Sequence, residues 1–175
     1  MQCLPARQSQ RWRAAKACRM SRRFEAMRDQ ETETALREVA SRLVEGGFEV
    51  YQTVGNRVDV AERVRDNLLM DANVSVLVQG SLRVRFATRA QRCDFPASHE
   101  TPEVLFARAR SLATHASSNG FREVGTEVVQ LADPSDSTRV LDTWYLVLFD
   151  KAAADLQEMV AVVRDAMSVE KVVPR

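Results

Sequence analysis

Histidine, cysteine and lysine are scarce in this chain, at two, three and three of 175 residues. With so few histidines, any imidazole acid–base or metal chemistry has only His99 and His115 to work with. Neither has a second histidine at HExxH spacing. His99 falls in a polar loop, and His115 falls near a helix end, where carbonyl groups give it a structural role. The cysteines, Cys3, Cys18 and Cys93, are odd in number and far apart, which argues against a disulfide framework and against zinc-ligand spacing. Glycine is also sparing. Five of the six, Gly46, Gly47, Gly55, Gly80 and Gly120, fall where elements end, and Gly125 inside a strand marks a bulge. None builds GxGxxG or GxxxxGK[ST], so no dinucleotide, P-loop or other cofactor is expected, and no metal.

Long apolar runs are missing too. Nothing approaches the roughly 18 residues of a membrane span, and the first residues lack the apolar core of a secretory signal. The expectation is a cytoplasmic protein with no membrane partner. At 45% hydrophobic and 28% charged residues, the composition is that of a globular chain, long enough for one full-sized domain.

What is present is unevenly distributed. Residues 1–23 hold seven basic side chains and no acid. The other 18 of the 25 basic side chains stand against all 24 acidic ones, so the body carries a formal charge of −6. Three parts follow: a basic leader over 1–23, read as disordered, a single domain over 24–170, and a tail over 171–175. Met20 or Met27 would serve as a later start. An acidic body is not the footprint of a general nucleic-acid binder. Arginine outnumbers lysine 22 to 3, the mark of a GC-rich coding sequence.

Periodicity gives the elements. Met27, Ala35, Leu36, Val39, Ala40, Leu43 and Val44 recur at helical spacing, and Gly46-Gly47 closes that helix. A short strand covers Phe48 to Val54, and Gly55-Asn56 turns the chain. Asp59 and Glu62 then form a capping-box start for a second helix reaching about Met70, with a strand over 57–64 as the alternative. Val74 to Val78 and Leu82 to Phe86 alternate around Gly80-Ser81 as a β-hairpin. Thr101 and Pro102 open a helix closed by Asn119-Gly120. Two long strands, Phe121 to Leu131 and Arg139 to Phe149, flank a turn, and a last helix runs from about Ala152 to Met167.

The order α-β-α-β-β-α-β-β-α describes an α+β fold, an antiparallel sheet of about five strands packed against helices. Its centre matches a ferredoxin-like core with additions; a helix-grip layout is the alternative. In element order and acidity over residues 24–170, though in no motif, that second layout resembles the small acidic dimeric chaperones of type III secretion. The resemblance implies a homodimer with a chaperone-like or adaptor-like role.

Three functional expectations follow. The first is a non-catalytic protein-binding or regulatory module that self-associates or takes a protein partner, using a sheet face or edge and the strand from Trp144 to Phe149, with Trp144 and Tyr145 at its start. The second is a nucleic-acid binder that combines the leader with Arg83, Arg85, Arg89 and Arg92, although Phe86 falls on the opposite face from Arg83 and Arg85 and gives no stacking platform. The third is a small enzyme using Cys93, activated by Arg89 and Arg92 with His99 nearby, or the strand carboxylates Glu123, Glu127 and Asp142.

Overall fold

The computed structural model describes residues 30–66, 68–91, 101–169 and 171. The leader, Arg92, Cys93 and His99 lie outside them. Helix α1 spans residues 30–45, and four strands follow: β1 (Glu49–Val54), β2 (Arg57–Arg65), β3 (Leu68–Val78) and β4 (Leu82–Gln91). Helix α2 (Pro102–Leu112), strands β5 (Arg122–Asp133) and β6 (Asp136–Ala153), and helix α3 (Leu156–Ser168) complete the order. The six strands form one antiparallel sheet in the order β1-β2-β3-β4-β6-β5. The α+β expectation of an antiparallel sheet packed against helices holds, with six strands in place of about five.

The helix expected from Asp59 to Met70 is instead the β2–β3 hairpin, so the alternative strand reading applies. The ferredoxin-like order, which needed that helix, gives way to helices before, between and after the strands. Val58 and Val60 point into the core at period two, while Asp59 between them is 3% exposed and faces the other way. Its carboxylate caps nothing: Gln52 Nε2 donates to it at 2.8 Å, and Arg57 Nε lies 3.1 Å away.

One face of the sheet is covered. Strand residues Val58, Val60, Val74, Val76, Val84, Phe86, Tyr145, Val147 and Phe149 join Leu36, Val39 and Leu43 of α1, Leu105 and Ala109 of α2, and Met159, Val162, Val163 and Ala166 of α3 in one core. Phe86 anchors it, stacked on Phe149 at 5.0 Å and meeting Phe121 edge-on at 4.9 Å.

Helix ends are set by local chemistry. Phe48 N–H returns to the Leu43 carbonyl and Gly47 N–H to that of Val44, with Gly47 at φ +86°, a Schellman-type stop. At the start of α3, Asp155 accepts from the Gln157 and Glu158 N–H groups at 2.8 Å each. Helix α2 ends at Leu112, and the stretch up to Gly120, including His115, is a series of turns, not the continued helix that the periodicity suggested. Among the described residues no helix is long and apolar enough to cross a membrane.

Candidate functional site

Among the described residues no helix covers the opposite face of the sheet, and strand alternation decides what it shows. In β6, Tyr145, Val147 and Phe149 go to the core, so Trp144, Leu146, Leu148 and Asp150 face the open side. Register sets Gln91, Arg89, Ala87 and Arg85 of β4 beside them, and Val129, Glu127 and Gly125 of β5 on the other flank. Further across, Ser75 opposes Arg85, Asp59 opposes Ser75, and Gln52 opposes Asp59. A polar row thus crosses five strands beside an apolar row along β6.

The charges in that polar row are matched. Arg85 donates through Nε and Nη2 to the two carboxylate oxygens of Asp150 at 2.7 and 2.9 Å. This bidentate contact, together with the charge of Glu127, holds the Arg85 guanidinium above its ordinary pKa against the opposing effect of burial. Arg89 sits over the Trp144 ring at 4.3 Å from its centroid, while the indole N–H donates to Asp142 at 2.9 Å. A groove of about 330 Å³ runs between the two rows, lined by Arg57, Asp59, Asp71, Arg85, Glu127, Trp144, Leu146 and Leu148 among others.

The groove's lining includes Asp71, Asn73 and Val74, where the sheet divides. Pairing of β3 with β4 stops at Val74 and Phe86. Next to that point Asn73 takes φ +53°, its N–H bound by the Asp71 side chain at 2.7 Å. Beyond it the Arg89 N–H donates to the Lys171 carbonyl at 2.7 Å. Although much of Asp71 is exposed, desolvation of its carboxyl, reinforced by the Asp59 charge, raises its pKa. Burial lowers the pKa of the Lys171 ammonium, whose Nζ donates to the Met167 and Val169 carbonyls.

A larger, shallower depression of about 610 Å³ lies where α1 meets the start of α3. Its polar groups are engaged locally, Arg42 with Glu45 and Asp155 with the α3 N-terminus, which makes it a solvated seam between helices.

Several sequence candidates do not converge. Arg83, Arg85 and Arg89 share the open face, but Arg85 belongs to Asp150 and Arg89 to Trp144, and Arg83 is exposed. Tyr145 is 5% exposed on the core side, its ring edge-on to Phe106 at 5.3 Å, so only Trp144 of that pair reaches the open face. The three strand carboxylates separate. A bulge between Glu123 and Gly125 sends Glu123 to the helix side, where Arg110 clamps it at 2.8 to 3.0 Å, while Glu127 stays on the open face. Among the described residues no group of three or more His, Cys, Asp or Glu side chains is placed to hold a metal ion. His115 is exposed, and its carbonyl accepts from Asn119 N–H and Ser118 Oγ.

Asp71, Arg57 and Asp150 were not singled out from the sequence, and Asp59 was read there only as a helix cap. Only Asp150 left a signal there, as the polar continuation of the Trp144, Leu146, Leu148 alternation. No protein-family model matches the chain, nor does any curated protein or solved structure.

Proposed function

We propose that this chain is a non-catalytic protein-binding module, chaperone-like or adaptor-like in role, whose open sheet face receives an extended polypeptide segment. The observation that carries this reading is the row Trp144, Leu146 and Leu148, half-buried on the face that no helix covers among the described residues and bordered by the Arg85–Asp150 pair and by Arg89 over Trp144. Apolar side chains of a ligand gain by covering that row. Asp71 and Glu127 stand beside it, so the preferred segment combines apolar residues with a basic one.

An array of short peptides of mixed composition, followed by titration of the best binders against a Trp12→Phe chain, uses the remaining indole at position 144 as the reporter. Apolar, basic peptides are expected to bind, and Leu146→Asp or Leu148→Asp to weaken them at least tenfold while the circular dichroism stays native. Equal affinity in both variants, or no peptide bound at about 100 μM, rejects the reading. A parallel titration with single-stranded oligonucleotides distinguishes the Arg83 to Arg92 alternative, which requires salt-sensitive binding lost in Arg83→Ala/Arg85→Ala.

A further inference from the structure

Strand β5 is the edge of the sheet, and past Glu123, which Arg110 of α2 clamps, its Val124 and Val128 stay exposed. Among the described residues its outer N–H and C=O groups have no neighbouring strand, because the order ends β6-β5. Thr126 and Val128 oppose Val147 and Tyr145, so they share the core-side face, yet Val128 is 49% exposed, and Val124 at the bulge is 48% exposed. A twelve-residue edge strand bearing β-branched side chains is a template for another strand.

Gly125 lies in the middle of this edge, and nothing among the described residues requires a glycine there. A Cβ built on it meets no atom within 4 Å, and its φ is outside the left-handed region, so neither crowding nor the adjacent bulge explains it. A glycine inside a strand that no bulge requires is a site where a ligand or another backbone can approach closely.

We propose that two copies of this chain pair antiparallel along β5, joining their sheets across a two-fold axis at Thr126. Antiparallel pairing of a strand with itself generates a closed, isologous dimer. In this register Val124 opposes the partner's Val128 on the core-side face, and Gly125 opposes the partner's Glu127 on the open face, leaving room for that carboxylate. An axis one residue later sets Glu127 against its own copy, which puts like charges directly opposite. The inference goes beyond the open-face reading and stands without it, because it rests on the outer edge of β5 and on Val124 and Val128, which do not line the groove, although Glu127 does.

Edge pairing of this length falls at the low end of specific interfaces, below about 1,200 Å² in total. Sedimentation velocity of the full chain from 1 to 300 μM is therefore expected to shift from 19.7 kDa toward twice that mass. Val124→Lys/Val128→Lys is expected to stay monomeric throughout. Gly125→Val is expected to weaken dimerisation at least tenfold while its monomer melts no earlier than wild type, since Val suits a strand better than Gly. In a chain with Cys3, Cys18 and Cys93 changed to Ser, oxidised Thr126→Cys should cross-link to itself. Val124→Cys should cross-link only when mixed with Val128→Cys. A wild-type chain that is monomeric at 300 μM, Gly125→Val or lysine variants that dimerise like wild type, or self-cross-linking of Val124→Cys overturns the proposal. Loss of peptide binding with dimerisation intact would fault the open-face reading alone.

Discussion

Arg85 and Asp150 face each other across β4 and β6, 65 residues apart in sequence, with both guanidinium-to-carboxylate contacts under 3 Å. Asp150 is 8% exposed, whereas the Arg85 side chain is 34% exposed. Removing the acid leaves a half-desolvated cation, which costs more than the intact pair contributes. Asp150→Ala is expected to lower stability in urea unfolding by about 1 to 2 kcal/mol, discounted from a fully buried pair because water reaches Arg85. Arg85→Met/Asp150→Leu should recover most of that loss. A double variant as unstable as the single one would show that the pair does more than balance charge.

The Glu123 clamp carries a pH signature. Hydrogen bonds from Arg110 pull the Glu123 carboxyl below its ordinary value of 4.5. A depressed folded-state pKa contributes stability above the unfolded value, and that contribution is lost as pH falls through the folded one. Glu123→Gln should therefore cost up to about 1 kcal/mol at pH 7, since both partners are well exposed. Near pH 3 the difference should shrink, and thermal melts at the two pH values measure it.

Gly46 stands where α1 ends against α3. A Cβ there would lie 2.8 Å from Val160 Cγ1 and 3.3 Å from the Arg42 carbonyl. Gly46→Ala is expected to destabilise by about 1 to 3 kcal/mol through overpacking. Adding Val160→Ala should return part of it, which a thermal-denaturation double-mutant cycle reads directly.

Thr88 is fully buried on the core side of β4, and its Oγ1 has no hydrogen-bond partner among the described residues. Replacing an unsatisfied hydroxyl by a methyl of similar volume removes a desolvation cost without leaving a cavity. Thr88→Val should stabilise by about 1 kcal/mol in chemical denaturation. A loss of stability would mean that the hydroxyl is engaged in solution.

Those parts of the fold that follow one period over a buried stretch were legible in the sequence. The Val74 to Phe86 hairpin, the face assignment of Trp144, Leu146 and Leu148, and the bulge at Gly125 all follow from alternation and glycine placement. Strand β2 was misread because only its first half contacts the core. Val58 and Val60 are buried, but beyond the bulge at Asp59 and Ala61 the residues 62–66 run out into solvent with mixed charge. A strand that leaves the core loses its period, and Asp59, Glu62, Val64 and Leu68 then mimic helical spacing. The groove was half visible for a different reason. Its apolar wall is local to β6, whereas Asp59, Asp71 and Arg85 meet only through the register of distant strands, which no local pattern encodes.

The narrow seam between β3 and β4 gives the chain a natural point of division. Five residue pairs join those strands, and the connecting turn holds Gly80, exposed and at φ +67°. On one side lie α1 and the three-strand meander β1-β2-β3. On the other lie β4, β6 and β5 with α2 and α3, tied by ten register pairs between β4 and β6 alone. A break at Gly80 would leave two fragments, each with its own paired strands and half of a shared apolar surface, suited to reassembly as a split reporter.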